Sequence, residues 1–317
     1  VGSEMCIRDS RGSGESAAGA CVTMKFYLKK HEAAGDGIRR INRALCRHVH
    51  RLIEDESLDA DTAVHELRKC VKKLRAVLRF CRPALKKDVL KRTDLALRDF
   101  ARRFSGTRDS AVMVKTFDSL MKHFQPYLSE NEMLPVRQVL QQRHVLAMAG
   151  HQEEANADSL RAAFEQVEPL LDYVGELEMS RSVMLSGVRD VYARGRRLGI
   201  ALAQDPSTEH SHALRRQAKY LWYQLSLLQK QLPERAKPLI ADLGELGELL
   251  GDDNDLAVLV DILGRNPQIC SNRVRAELIA SLAETRRVVL LTTALRLSQR
   301  IYRYKPGRFI RDLESDS

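Results

Sequence analysis

Two stretches of the chain place histidine and cationic side chains at helical spacing. Residues 64–80 read VHELRKCVKKLRAVLRF and residues 211–227 read SHALRRQAKYLWYQLSL. On a helix, His65, Arg68, Lys72, Arg75 and Arg79 fall on one face at steps of three and four, with Lys69 and Lys73 flanking them. Val64, Leu67, Val71, Leu74 and Leu78 fall on another face, suited to packing. The first turns hold a single acid, Glu66. Like charges at i,i+4 cost an isolated helix a few tenths of a kcal/mol per pair. An unneutralised row of this kind therefore predicts an external anion. Successive members rise about 5–6 Å along the axis, a step that lets a flexible chain of phosphates follow the row.

The second stretch repeats the pattern with less charge. His212, Arg215, Arg216 and Lys219 stand at a constant offset of 147 from His65, Arg68, Lys69 and Lys72. Trp222 and Tyr223 replace Arg75 and Ala76. Tyr223 is expected to offer a phenolic hydrogen bond to a phosphate oxygen, and Trp222 to pack. His65 and His212, if protonated near pH 6–7, would add charge to the site. Arg98, Arg102, Arg103 and Arg108 lie after the first stretch, and Arg189, Arg194, Arg196 and Arg197 before the second, as further cations.

Catalytic patterns are not met. His65-Glu66 ends in Lys69, so no HExxH is formed, and the run GSGESAAGA lacks the lysine of a phosphate-binding loop. No GxSxG occurs. Clustered acids able to hold Mg²⁺ beside the basic faces, as phosphoryl transfer needs, are not seen. SGTRDSAVMV and GDDNDLAVLV follow the two histidines by about 40 residues, with Asp109 and Asp255 in corresponding places. The second run holds several carboxylates, but their spacing does not fit a calcium loop. Asp109 and Asp255 are expected to cap the helix that follows or to hold a neighbouring arginine. No metal and no cofactor are expected.

The elements that must carry these faces are helices. Aromatic residues are 5% of the 317, Gly and Pro are sparse, and net charge is +10. That composition favours long helices and a negatively charged partner. Periodicity and caps predict helices from Asp36 to about Glu54, from Asp61 to a stop at Pro83, and over 84–104 and 108–123. Further helices are expected over 135–149, 152–177, 180–203, 208–231, 235–250, 254–263 and 272–304. Six cysteines without a CxxC pair suggest a reducing cytoplasm rather than disulfides or zinc. No apolar run is long enough to span a bilayer. Residues 1–23 open with VGSEMCIRDS, which looks like translated adapter sequence, so Met24 is a plausible start and the leader is set aside. The repeat predicts a domain over 24–315 built of two halves, about 24–165 and 166–315, each able to bury a core.

These features resemble the conserved-histidine α-helical domain, CHAD. The residues that carry the resemblance are His65-Arg68-Lys69-Lys72 with Arg108-Asp109, His212-Arg215-Arg216-Lys219 with Asn254-Asp255, and the terminal IYRYKPGRF. The similarity runs over roughly 25–314. It implies an all-α fold of two pseudo-symmetric four-helix-like bundles about a basic groove, and non-catalytic binding of inorganic polyphosphate. It also implies polyphosphate granules or a triphosphatase-type protein as partners. The ExExK signature of the triphosphate tunnel domain is absent, so a standalone module is expected. Rival readings are a nucleic-acid binder, for which the aromatic stacking platforms are lacking, and an accessory domain of a phosphohydrolase.

Overall fold

The structure, a computed structural model, describes residues 25–104, 106–128, 130–151, 156–270 and 273–315. Expected stripes become buried helix faces. In α1 (Ala34–Glu54), Ile38, Ile41, Leu45, Val49 and Leu52 are buried. In α2 (Ala60–Phe80), Leu67, Val71, Leu74 and Leu78 are buried, and the helix is capped by Asp59, whose carboxylate accepts from the Thr62 N–H. Asp61, expected as that cap, instead lies in the first turn. Pro83 sits in a short 3₁₀ turn, Arg82–Ala84, and α3 (Lys87–Arg102) follows.

α4 is Gly106–Phe124 and α5 is Glu130–His151. Pro135 lies inside α5 rather than at its start, where it removes one backbone hydrogen bond of the helix. The helix expected over 152–177 is two, α6 (Ala157–Glu165) and α7 (Glu168–Gly175), with Pro near the start of the second. α8 (Arg181–Gln204) and α9 (Thr208–Leu228) are capped by Ser180 and Ser207. α10 (Ala236–Arg265), α11 (Arg273–Ile301) and α12 (Pro306–Glu314) complete the chain. No strand occurs among the described residues.

α10 corrects the sequence reading most clearly. The expected break at GDDND is absent, and Asp255 sits mid-helix, so it caps nothing. Gly244, Gly247 and Gly251 lie at steps of three and four on the side that meets α9. A Cβ at these positions would stand 3.3 Å from the Trp222 indole nitrogen, 2.7 Å from Lys219 Cε and 2.7 Å from an Arg215 guanidinium nitrogen. These glycines let two cationic side chains lie flat on the helix backbone. Their purpose is close approach, not termination.

The apolar residues form two cores, and neither belongs to one sequence half. The larger joins α1, α2, α3, α6, α7, α8, α9 and α12 with one end of α10 and α11. The smaller joins α4 and α5 to the other ends of α10 and α11. Helices of 30 and 29 residues extend about 45 Å, long enough to serve both. The N-terminal segment is tied to α9: Leu28 N–H donates to Leu227 O at 2.7 Å, and Phe26 meets Tyr223 edge-on at 5.9 Å. At the other end Phe309 of α12 stacks on Tyr192 of α8 at 3.7 Å.

Cys46, Cys70, Cys81 and Cys270 are free thiols. Burial pushes Cys46 and Cys70 up to about 12, so both remain protonated small apolar groups. Among the described residues no helix is long and apolar enough to cross a membrane.

Candidate functional site

α2 and α9 pack against each other, and α4, α10 and α11 close around one side of the pair. A cleft of about 340 Å³ opens there. Its cations come from four helices: Lys69 and Lys72 of α2, Lys115 of α4, Arg215 and Lys219 of α9, and Arg286 of α11. His65, His123 and Tyr223 also line it, together with the carboxylates Asp61, Glu248, Asp252 and Asp255. Six fixed cations thus face four carboxylates.

The two rows present different registers to this cleft. α2 shows it His65, Lys69 and Lys72, whereas α9 shows it Arg215, Lys219 and Tyr223. His212 and Arg216 are exposed but belong to neither the cleft nor the second cavity described below. The expectation of two equivalent faces, each starting at its histidine, is therefore corrected. α9 is turned so that the counterparts of positions 68, 72 and 76 face inward. The cause is burial: every residue from Leu221 to Leu228 is buried, and this wide apolar surface sets the rotation of α9.

The α9 cations are braced by α10. Lys219 Nζ stands 2.7 Å from Glu248 and 5.0 Å from the centre of the Trp222 ring. Arg215 Nε donates to Gly247 O at 3.4 Å. One turn earlier, Ser211 Oγ donates to the fully buried Asp253 at 2.7 Å, and Arg287 Nε of α11 donates to the same carboxylate at 2.9 Å. Asp253 thereby fixes α9, α10 and α11 together, one residue from cleft-lining Asp252. The acids of GDDND thus divide between an internal clamp and the cleft wall. Carboxylates stand beside the basic row, and among the described residues no group of His, Cys, Asp and Glu is placed to hold a metal ion.

The wall shifts two titrations. Desolvation lowers the His65 pKa below the ordinary imidazole value, assisted by Lys69, Lys72 and Lys115 against the opposing pull of Glu66. Desolvation raises Asp252, and Glu248 and Asp255 raise it further, against Arg286 and Arg215. At the cleft's edge, His144 Nε2 and Asp61 lie 2.9 Å apart, and His144 Nδ1 and Ser110 Oγ lie 3.0 Å apart. This Asp–His–Ser order has the composition of a nucleophilic triad. Here Ser110 is embedded in α4 and only Asp61 lines the cleft, so the relay ties α2, α4 and α5.

Farther along α2 the row turns to a second cavity of about 660 Å³ between α3, α8 and α9. Arg79, Arg82, Lys87, Lys91, Arg98 and Arg194 line it with Asp94 and Asp190. Arg75 Nε donates to Asp94 at 2.9 Å and Arg79 lies 3.0 Å from the same carboxylate. Burial pushes Asp94 up, but the two guanidinium groups outweigh it and hold the carboxyl below its usual value. The α2 row is thus continuous in sequence but divided in space.

Other expected members lie elsewhere. Lys73 reaches over the Phe26 ring at 5.6 Å. Arg102 pairs with Asp99 at 2.6 Å. Arg68, half-buried on α2, and Arg196 and Arg197 on α8 line neither cavity. The side chains of Arg108 and Asp109 lie outside the described residues, as do residues 1–23. Lys115, His123 and Arg286 were not marked by the sequence, because the residues 147 positions away from them carry no matching charge.

A family model for the CHAD domain matches residues 33–264. The crystal structure of the CHAD domain from the plant Ricinus communis is similar in fold, with a TM-score of 0.56 and 17% identity, covering 92% of this chain and 95% of that one. No curated protein matches the chain.

Proposed function

The chain belongs to the CHAD family, and we propose that it binds inorganic polyphosphate without transforming it. The observation that carries this reading is the convergence of Lys72, Lys115, Lys219 and Arg286, far apart in sequence, on one cleft. Four helices aim cations at a common space, as a ligand charged along its whole length requires. Lys and Arg contacts to phosphate oxygens, with release of condensed counterions, supply the affinity. From Lys72 the α2 row reaches Arg79 about 10 Å farther on, so a long chain can extend toward the second cavity. Tyr223, the aromatic side chain lining the cleft, is 4% exposed, so it presents no open face for base stacking. That favours a phosphate chain over single-stranded nucleic acid.

The test is titration with polyphosphates of defined length, in competition with DNA and RNA across a salt series. Polyphosphate is expected to win at matched salt, with an affinity that falls steeply as salt rises. Preference for nucleic acid would overturn the ligand assignment, and wild-type affinity in Lys72→Glu would overturn the cleft. Release of phosphate in the presence of Mg²⁺ would overturn the non-catalytic reading.

A further inference from the structure

The cleft's own carboxylates stand where an anionic ligand would put its charges. Glu248 rests on Lys219 at 2.7 Å, and Asp252 and Asp255 follow it along the same wall of α10. The Glu248 side chain is 56% exposed, and an exposed pair of this kind adds little to the fold. Its effect falls on whatever approaches Lys219.

We propose that Glu248, Asp252 and Asp255 are built-in competitors that make this cleft select long polyanions over short ones. The inference rests on the anion-binding reading above and names what sets its selectivity. A short anion arriving at Lys219 exchanges one ion pair for another and gains almost nothing. It also meets repulsion from Asp252 and Asp255. A chain that spans the cleft meets the same exchange once, while it gains Lys72 on α2, Lys115 on α4 and Arg286 on α11. Those further contacts are made at the high effective concentration of a tethered ligand. The carboxylates therefore act as a threshold that only multivalent ligands pass.

The threshold falls in acid. Six fixed cations line the cleft with four carboxylates, Lys69 is also paired with Glu66 at 3.0 Å, and a proton taken up by His65 adds positive charge. A proton on Asp252 removes one competitor. Asp252 faces Arg215 and Lys219 from α9 and Arg286 from α11, with Glu248 and Asp255 on its own helix. Across the cleft stand Asp61, His65, Lys69 and Lys72 of α2 and Lys115 and His123 of α4. Burial and its two acidic neighbours make Asp252 protonate at a higher pH than an ordinary carboxylate. Acidification therefore weakens the carboxylate barrier, an effect read against Asp252→Asn because the terminal phosphates of a short chain take up protons in the same range.

The experiment measures affinity for tripolyphosphate and for a long polyphosphate at neutral and mildly acid pH. It compares the wild type with Glu248→Gln, Asp252→Asn and the double variant. Tripolyphosphate binding is expected to tighten by about fivefold per substitution, the upper range for an exposed ion pair, while long-chain binding changes much less. Asp252→Asn is expected to flatten the pH dependence for the short ligand. An unchanged ratio of long to short affinity in both single variants overturns the proposal, because Glu248 is exposed and its substitution leaves the fold intact. Loss of long-chain binding in Lys72→Glu, with that ratio unchanged in the α10 variants, would overturn this inference and leave the polyphosphate reading standing. Wild-type long-chain binding in Lys72→Glu would overturn both.

Discussion

α2 and α9 begin with the same pattern and end as different kinds of helix. α2 keeps Arg75 and Arg79 half-buried on Asp94, at the edge of a second basic cavity. α9 has Trp222 and Ser226 at the corresponding places, both buried. It is anchored instead by its first turns, where Ser211 and Arg287 meet Asp253. α2 thus lines cavities along most of its length, whereas α9 gives two cations to the cleft and buries every residue from Leu221 to Leu228. A repeat in sequence fixes side-chain types at matching positions. It does not fix which way the helix is turned, because that is decided by the total apolar surface each copy must bury.

The largest effect should separate the two anchors. Asp253 is fully buried and Arg287 is 15% exposed, so Asp253→Ala takes the acceptor from buried Ser211, leaves Arg287 only the half-exposed Glu284 at 3.0 Å, and should cost about 3 kcal/mol in urea unfolding. Asp94→Ala, at a partly exposed site, should cost about 1–2 kcal/mol. Equal costs would break the contrast. Next comes the difference in register. Charge reversal at Lys72 or Arg215 should weaken polyphosphate binding about 100-fold at low salt. Arg216→Glu, outside the cleft, should change it by no more than about threefold. A large effect at Arg216 would show that α9 presents its row as α2 does.

Gly251→Ala should split stability from binding. The methyl group favours the helix by about 1 kcal/mol but pushes the Arg215 guanidinium from its bed, so thermal stability should hold or rise while affinity falls. The smallest effect concerns the two histidines. His65 is held below the ordinary imidazole value, so it is neutral at pH 7.5 and gains charge only as the medium becomes acid. Between about pH 7 and 5.5, wild-type affinity should rise about threefold more than that of His65→Gln. His212→Gln, outside the cleft, should follow the wild type. A His212 effect as large as that of His65 would restore the equivalence of the two rows.

Much of the fold was legible. Ile38, Ile41, Leu45, Val49 and Leu52 recur at helical steps, and that spacing alone places them on one buried stripe. Asp253 was not legible as a clamp, since its partners Ser211 and Arg287 are 42 and 34 residues away. The continuity of α10 was hidden for a related reason. Gly251 beside three acids has the composition of a helix end, and only the guanidinium lying against it shows why the helix needs a glycine there.

The residue pattern by itself determined that the chain is helical, that two segments carry matched cations, and that the His65 row is dense in positive charge. These follow from local periodicity and composition, which act within a few turns. Tertiary packing decided that Lys115 and Arg286 line the cleft, that His212 and Arg216 do not, and that Glu248 and Asp252 stand among its cations. Such choices depend on how α9, α10 and α11 bury their apolar faces together, a balance that sums over both cores and that no single segment contains.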